Sequence, residues 1–216
     1  MMTSDELVKM VRQVINETDD DAGVSLLTPD RLSFDENILV LLPRAVAFVQ
    51  QCKPAASRVN VKSLPGSSVT VVASGDGTGC VVLPDDFVAP VSVSLVGWKR
   101  PCTRFYARDS HRALLQQNRT AAAGNCRPVC IDDINASGVR CVRLSPVPVE
   151  ETAVVDKFVY EAVFNPDEGL GLYDAAMVDA VVYECAALLY TMFERHDTAN
   201  SYHSLALARC GVMANH

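Results

Sequence analysis

Nowhere in this chain of 216 residues do two cysteines stand in a Cys-x-x-Cys pair, although it carries eight of them. Cys126 and Cys130 come nearest, separated by three residues that include Pro128 and with no histidine close by. That absence excludes the common structural zinc sites, whose ligands come in tight pairs, and the thiols read as small core residues in a reducing cytosol. Positive charge is also short: 19 Lys and Arg against 26 Asp and Glu give a net −7. Such a balance argues against a surface that wraps nucleic acid, because phosphate neutralisation needs an excess of Lys and Arg. It does not exclude an acidic wall along which DNA slides without sticking.

Long hydrophobic runs are missing as well. The most apolar segment, 175–193, is interrupted by Asp179 and Glu184, so it reads as a buried helix and not as a membrane span. The opening Thr3-Ser4-Asp5-Glu6 lacks the basic and apolar regions of a secretory signal. Without export, the sequons at Asn16, Asn118 and Asn135 carry no weight.

Catalytic constellations are absent too. Asp109-Ser110-His111 contains the residue types of a hydrolytic triad, but neighbours on one helical turn point in different directions. The Gly-rich stretch 74–79 lacks the lysine and following helix of a phosphate cradle, and reads as a hairpin turn through Asp76-Gly77. The acids Asp19, Asp20 and Asp21 lack the alternating ligands of a calcium loop. His196 and His203 are seven apart, not the four that places two imidazoles on one metal. No catalytic, cofactor-binding or metal-ligating residue is therefore assigned.

What is present is a pattern that changes twice along the chain. Thr3 and Glu6 form a capping box before Leu7, Val11 and Val14, predicting a helix over 4–17. Thr28-Pro29-Asp30 and the pair Ser33 and Glu36 are start signals for a second helix reaching about 52, with Pro43 inside it as a kink. From 58 to 144 the period becomes two: strands are expected over 58–62, 69–73, 80–83, 90–98, 128–134 and 139–144, with a last one over 157–164. Asp109 is the expected cap of a short helix over 110–117, and Asn135 opens a turn between two strands. Helices return over 173–194 and 198–210, the latter stopped by Gly211. The fold class is thus α+β: a bundle made by N-terminal (1–56) and C-terminal (165–216) helices, with an antiparallel β module (57–164) inserted.

On a helical wheel, one half of the 173–194 helix is filled by Met177, Val181, Cys185, Leu188 and their neighbours. The other half mixes Tyr183 and Tyr190 with Ala176, Ala180 and Ala187, a composition that suits either close contact with an adjacent subunit or an ordinary solvent face. The hairpin residues Asp76, Gly77 and Asn135, together with Tyr202 on the last helix, are further candidates for contact with neighbouring molecules of an assembly.

The run Leu83-Pro84-Asp85-Asp86-Phe87, then Gly97-Trp98-Lys99-Arg100-Pro101, Asp109-Ser110, Gln116-Gln117-Asn118 and Arg127-Pro128-Val129-Cys130 resembles virion ring proteins of crAss-like short-tailed bacteriophages. The resemblance covers most of the chain. It implies a head-to-tail connector or adaptor: a homo-oligomeric, dodecameric ring that joins the portal protein to other tail ring and hub proteins. It would be assembled in the host cytoplasm and carried in the neck of the virion. The family implies no enzyme activity and no cofactor, with DNA only a passing polymer in the ejection channel and no membrane partner. Two other readings stay open: a tail hub, stopper or tube subunit, and a thiol hydrolase using one cysteine with His111, His196 or His203 as base.

Overall fold

The computed structural model describes residues 1–19, 31–54, 56–74, 76–118, 121–135, 137–148 and 153–212. The start signal Thr28-Pro29-Asp30 and the acids Asp20 and Asp21 lie outside them. The chain is α+β, with helices at both ends and a largely antiparallel β region between them. Its contacts divide it into a helical unit, Met1–Val61 with Val163–His216, and a β unit, Lys62–Ala162. Sequence periodicity sets the insert at 57–164; the break falls a few residues further in at each end. One reason is Asn60, which adopts φ 60° and ends the expected 58–62 strand before it forms. Its buried side chain donates to the Val163 carbonyl (3.1 Å) and accepts from the Gly171 amide (3.0 Å).

In the helical unit, α1 (Ser4–Asp19) starts on the expected capping box: the Thr3 amide donates to Glu6 Oε2 at 2.8 Å and the Glu6 amide to Thr3 Oγ1 at 3.2 Å. Leu7, Val11 and Ile15 are fully buried on one stripe. Helix α2 (Arg31–Cys52) is already running at Ser33, and Pro43 is accommodated inside it. Helix α4 (Ala175–Met192) packs against α1, α2 and α5 (His196–Arg209). By length and composition α4 could cross a membrane, but most of it is buried within the chain, as in a core helix. Two backbone bonds between Met2 and Leu170 tie the start of α1 to the loop before α4. Gly169 makes that possible: it sits at φ 73°, and a Cβ there would lie 2.2 Å from the Met2 carbonyl oxygen.

The β unit stacks two sheets. One has the order β1–β8–β4, from β1 (Val61–Pro65), β8 (Val155–Ala162) and β4 (Phe87–Leu95). The other has five strands: β2 (Val71–Ala73), β3 (Gly79–Val81), β7 (Arg140–Ser145), β6 (Val129–Ile134) and β5 (Phe105–Ala107), in that order. Val81, Cys130, Val142 and Leu144 of the second sheet join Val93, Leu95, Phe158 and Tyr160 of the first in one apolar core. The opposite face of the five-stranded sheet carries a smaller cluster, Val129 and Ile131 under Ala113 of α3 (His111–Leu115).

Two details correct the sequence-based expectation. The module is not wholly antiparallel: β5 runs parallel to β6, which requires a crossover, and the 108–128 connection carrying α3 supplies it. The cap of α3 is Ser110, not Asp109; Ser110 Oγ accepts from the Ala113 amide.

Candidate functional site

The tyrosine and alanine face of α4 is covered by the chain itself. Tyr190, Ala180 and Ala187 are buried, and the Tyr190 ring stacks on Tyr202 of α5 with centroids 5.5 Å apart. Tyr202 is buried too, its hydroxyl donating to the Val14 carbonyl at 3.1 Å. These four residues are therefore not available to a neighbouring subunit or ring. The physical reason is that α4 is apolar nearly all round, so both halves of its wheel need cover, and α5 supplies the second. Tyr183 is half-buried and stacks on Tyr202 at 6.3 Å, while Ala176, in the first turn of α4, is exposed. Glu184, one of the two acids that interrupt the apolar segment, is buried, and its carboxylate meets His203 Nδ1 at 2.7 Å, with the imidazole beside Phe48.

The two hairpin turns remain accessible. Asp76 is exposed, and its carboxylate accepts from both the amide (2.9 Å) and the hydroxyl (2.6 Å) of Thr78. The Thr78 hydroxyl, more than the backbone, holds the Asp76 carboxyl below its ordinary range. Gly77 takes φ 83°, as the turn requires, and its carbonyl accepts from the Val147 amide. At the other hairpin, Asn135 Oδ1 accepts from the amides of Ser137 and Val139, each at 2.9 Å. Register puts these turns at opposite ends of β7: Gly79, just after the first, faces Leu144, while the second joins Ile134 to Arg140.

Beside the first turn, on the sheet face away from the main core, lies a charged cleft of about 560 Å³ lined by Asp76, Thr78, Arg108 and Asp133. At its base Asp133, with a side chain 2% exposed, receives Arg143 at 2.7 Å and Arg108 at 3.3 Å. The Arg143 Nε is buried without a hydrogen-bond partner. A carboxylate buried this deeply is tolerable because two guanidinium groups and the Ile134 amide satisfy it. Alternation alone cannot show this; Asp132-Asp133 in β6 reads as two surface acids until the register places Asp133 opposite Cys141 on the cleft side.

The thiols are all free. Burial pushes Cys141 and Cys185 each up to about 12 and also raises Cys130 and Cys210. Cys102 differs: a hydrogen bond from the Cys130 thiol lowers it to about 7 against the burial that opposes ionisation. Cys102 is itself buried, with its sulfur directed to the carbonyls of Arg104 and Pro128. Among the described residues no imidazole hydrogen-bonds to a thiol, and no cluster of three His, Cys, Asp or Glu could hold a metal ion.

The motif residues behind the family resemblance shape turns in the β unit. Asp86 accepts from Lys62 (2.7 Å) and Tyr160 (2.8 Å), fixing the turn before β4. Gly97 adopts φ 93°, and the Trp98 indole donates to the Pro146 carbonyl at 2.9 Å. Cys130 enters the core at the start of β6. No known protein family model matches the chain, and a search of curated proteins finds no similar one.

Proposed function

We propose that this chain is a structural subunit of a head-to-tail ring, a connector or adaptor joining the portal protein to the tail of a short-tailed bacteriophage and lining part of the DNA ejection channel. The observation that carries the reading is the placement of the two accessible hairpin turns, at Asp76-Gly77 and Asn135, at opposite ends of one strand. An insert built this way presents a turn at each end of one strand, and a helical body with its own closed core is the kind of rigid element from which a rotationally symmetric ring is built. The resemblance of the turn motifs at 83–87, 97–101 and 127–130 to those of crAss-like ring proteins supports the same reading. So does the buried setting of most thiols, which offers little to nucleophilic chemistry.

Negative-stain imaging of the purified full-length chain, alone and with its portal protein, tests this. Closed rings with an axial hole are expected. Open stacks or tubes would favour a tail-tube or hub subunit instead. A monomer that hydrolyses esters and loses that activity on thiol alkylation would replace the proposal with an enzyme.

A further inference from the structure

Charge is far from evenly spread along this acidic chain. Within 98–127 stand seven Lys and Arg (Lys99, Arg100, Arg104, Arg108, Arg112, Arg119, Arg127) and one acid, Asp109, a net of +6. The helical unit, 1–61 with 163–216, holds 16 acids and 8 bases, a net of −8. The fold gathers several of these cations. The Lys99 amide donates to the Asn125 carbonyl (3.0 Å), which brings Lys99 and Arg100 beside Arg127, and the β5–β6 register sets Arg104 next to the strand that Arg127 precedes. All four are exposed. Arg104 lies over the Tyr106 ring, 5.2 Å from its centroid, and among the described residues no carboxylate pairs with Lys99, Arg100, Arg104, Arg112 or Arg127. A concentration of unpaired guanidinium groups is a surface that attracts anions and gains from finding them.

The same chain presents a complement. The Met2–Leu170 bonds and the Ser4 hydroxyl donating to the Pro166 carbonyl hold the first turn of α1 against the 165–170 loop. This groups the exposed carboxylates of Asp5, Glu6, Asp167 and Glu168 at one end of the helical unit, with Lys9 and the amino terminus the cations facing Glu6. We infer that the basic surface formed by Lys99, Arg100, Arg104 and Arg127 docks on this acidic end of a second copy, giving the heterologous contact by which subunits add head to tail. The inference rests on the ring reading and names the surfaces that close the ring. A second copy fits better than DNA because a body of net −8 would repel a duplex that the insert tried to hold.

The test is a charge swap in the full-length chain, with folding checked by thermal melting; every altered side chain is exposed. In wild type, association measured by sedimentation should weaken at least about tenfold between about 0.1 M and 1 M salt, as the screening length shrinks from about 10 Å to 3 Å. The basic reversal, Arg100→Glu with Arg104→Glu and Arg127→Glu, should be monomeric, as should the acidic reversal, Asp5→Lys with Glu6→Lys and Asp167→Lys. Neither should assemble alone, but mixed they should assemble by alternating, since each surface of one variant then meets its opposite charge on the other, and a chain carrying both reversals should regain wild-type assembly. Basic-reversal rings of normal stability would overturn the inference while leaving the ring reading intact. Loss of binding to a short DNA duplex with assembly unchanged would also overturn it, making the surface a nucleic-acid contact. A wild-type chain that stays monomeric at low salt would remove the ring reading and the inference together.

Discussion

The helical unit and the β unit spend their side chains differently. The first turns its tyrosines inward: Tyr190 and Tyr202 stack in a core shared by four helices, and Glu184 is buried against His203. The second keeps its chemistry outside, with two accessible turns, a charged cleft over Asp133 and a group of unpaired cations. The contrast teaches that an aromatic-rich helix face marks a core as readily as an interface, and that contact surfaces in such a chain are better sought where charge is left without a partner.

The largest effect expected from breaking this contrast lies in the helical unit. Tyr190→Ala should cost about 3–5 kcal/mol of stability by opening a cavity beside Tyr202, seen as a much lower melting temperature. A variant with wild-type melting but no assembly would return Tyr190 to the role of an interface residue. Next comes Gly169→Ala, which drives a Cβ into the Met2 carbonyl and should cost about 2–4 kcal/mol, loosening the start of α1; unchanged denaturation would show that this close approach is not needed.

In the β unit the effects should be smaller. Arg143→Met leaves the buried Asp133 with the Ile134 amide and a single guanidinium, Arg108. Because Arg143 is 40% exposed, the penalty of a fully buried pair is discounted to about 1–2 kcal/mol, read by urea unfolding. No change would mean that Arg108 and the Ile134 amide suffice for the carboxylate. Ser110→Ala should cost about 1 kcal/mol locally, as faster amide exchange at Ala113 with little change in global melting.

The smallest effect depends on pH. The Thr78 hydroxyl stabilises the Asp76 carboxylate, so its contribution is complete above the ordinary carboxylate pKa near 4 and fades as pH falls through the lowered value in the fold. Thr78→Val should therefore be less stable than wild type at pH 7 and nearly equal to it at pH 2. An equal deficit at both would assign the loss to packing.

Much of the architecture was legible in the sequence because local signals and tertiary packing agree. The Thr3 and Glu6 box starts α1, Gly77 and Asn135 turn their hairpins, and the buried stripe Leu7, Val11 and Ile15 repeats at helical spacing. What failed were statements about which surface covers which. A wheel shows that α4 has two faces but not that α5 lies on the second, and alternation shows Asp133 in a strand but not that its side of the sheet folds over it. The parallel β5 escaped because a three-residue strand carries no period of its own. The basic surface was hidden by averaging: a net −7 for the whole chain conceals +6 within 98–127, which a windowed charge count would have revealed.

The central claim is that this polypeptide works by closing on copies of itself. The native mass of the purified full-length chain at low salt tests it most directly. One species at a fixed integer multiple of the chain mass, without a ladder of larger forms, is the result of a closed ring; a monomer at every concentration, or an open-ended ladder, would contradict it.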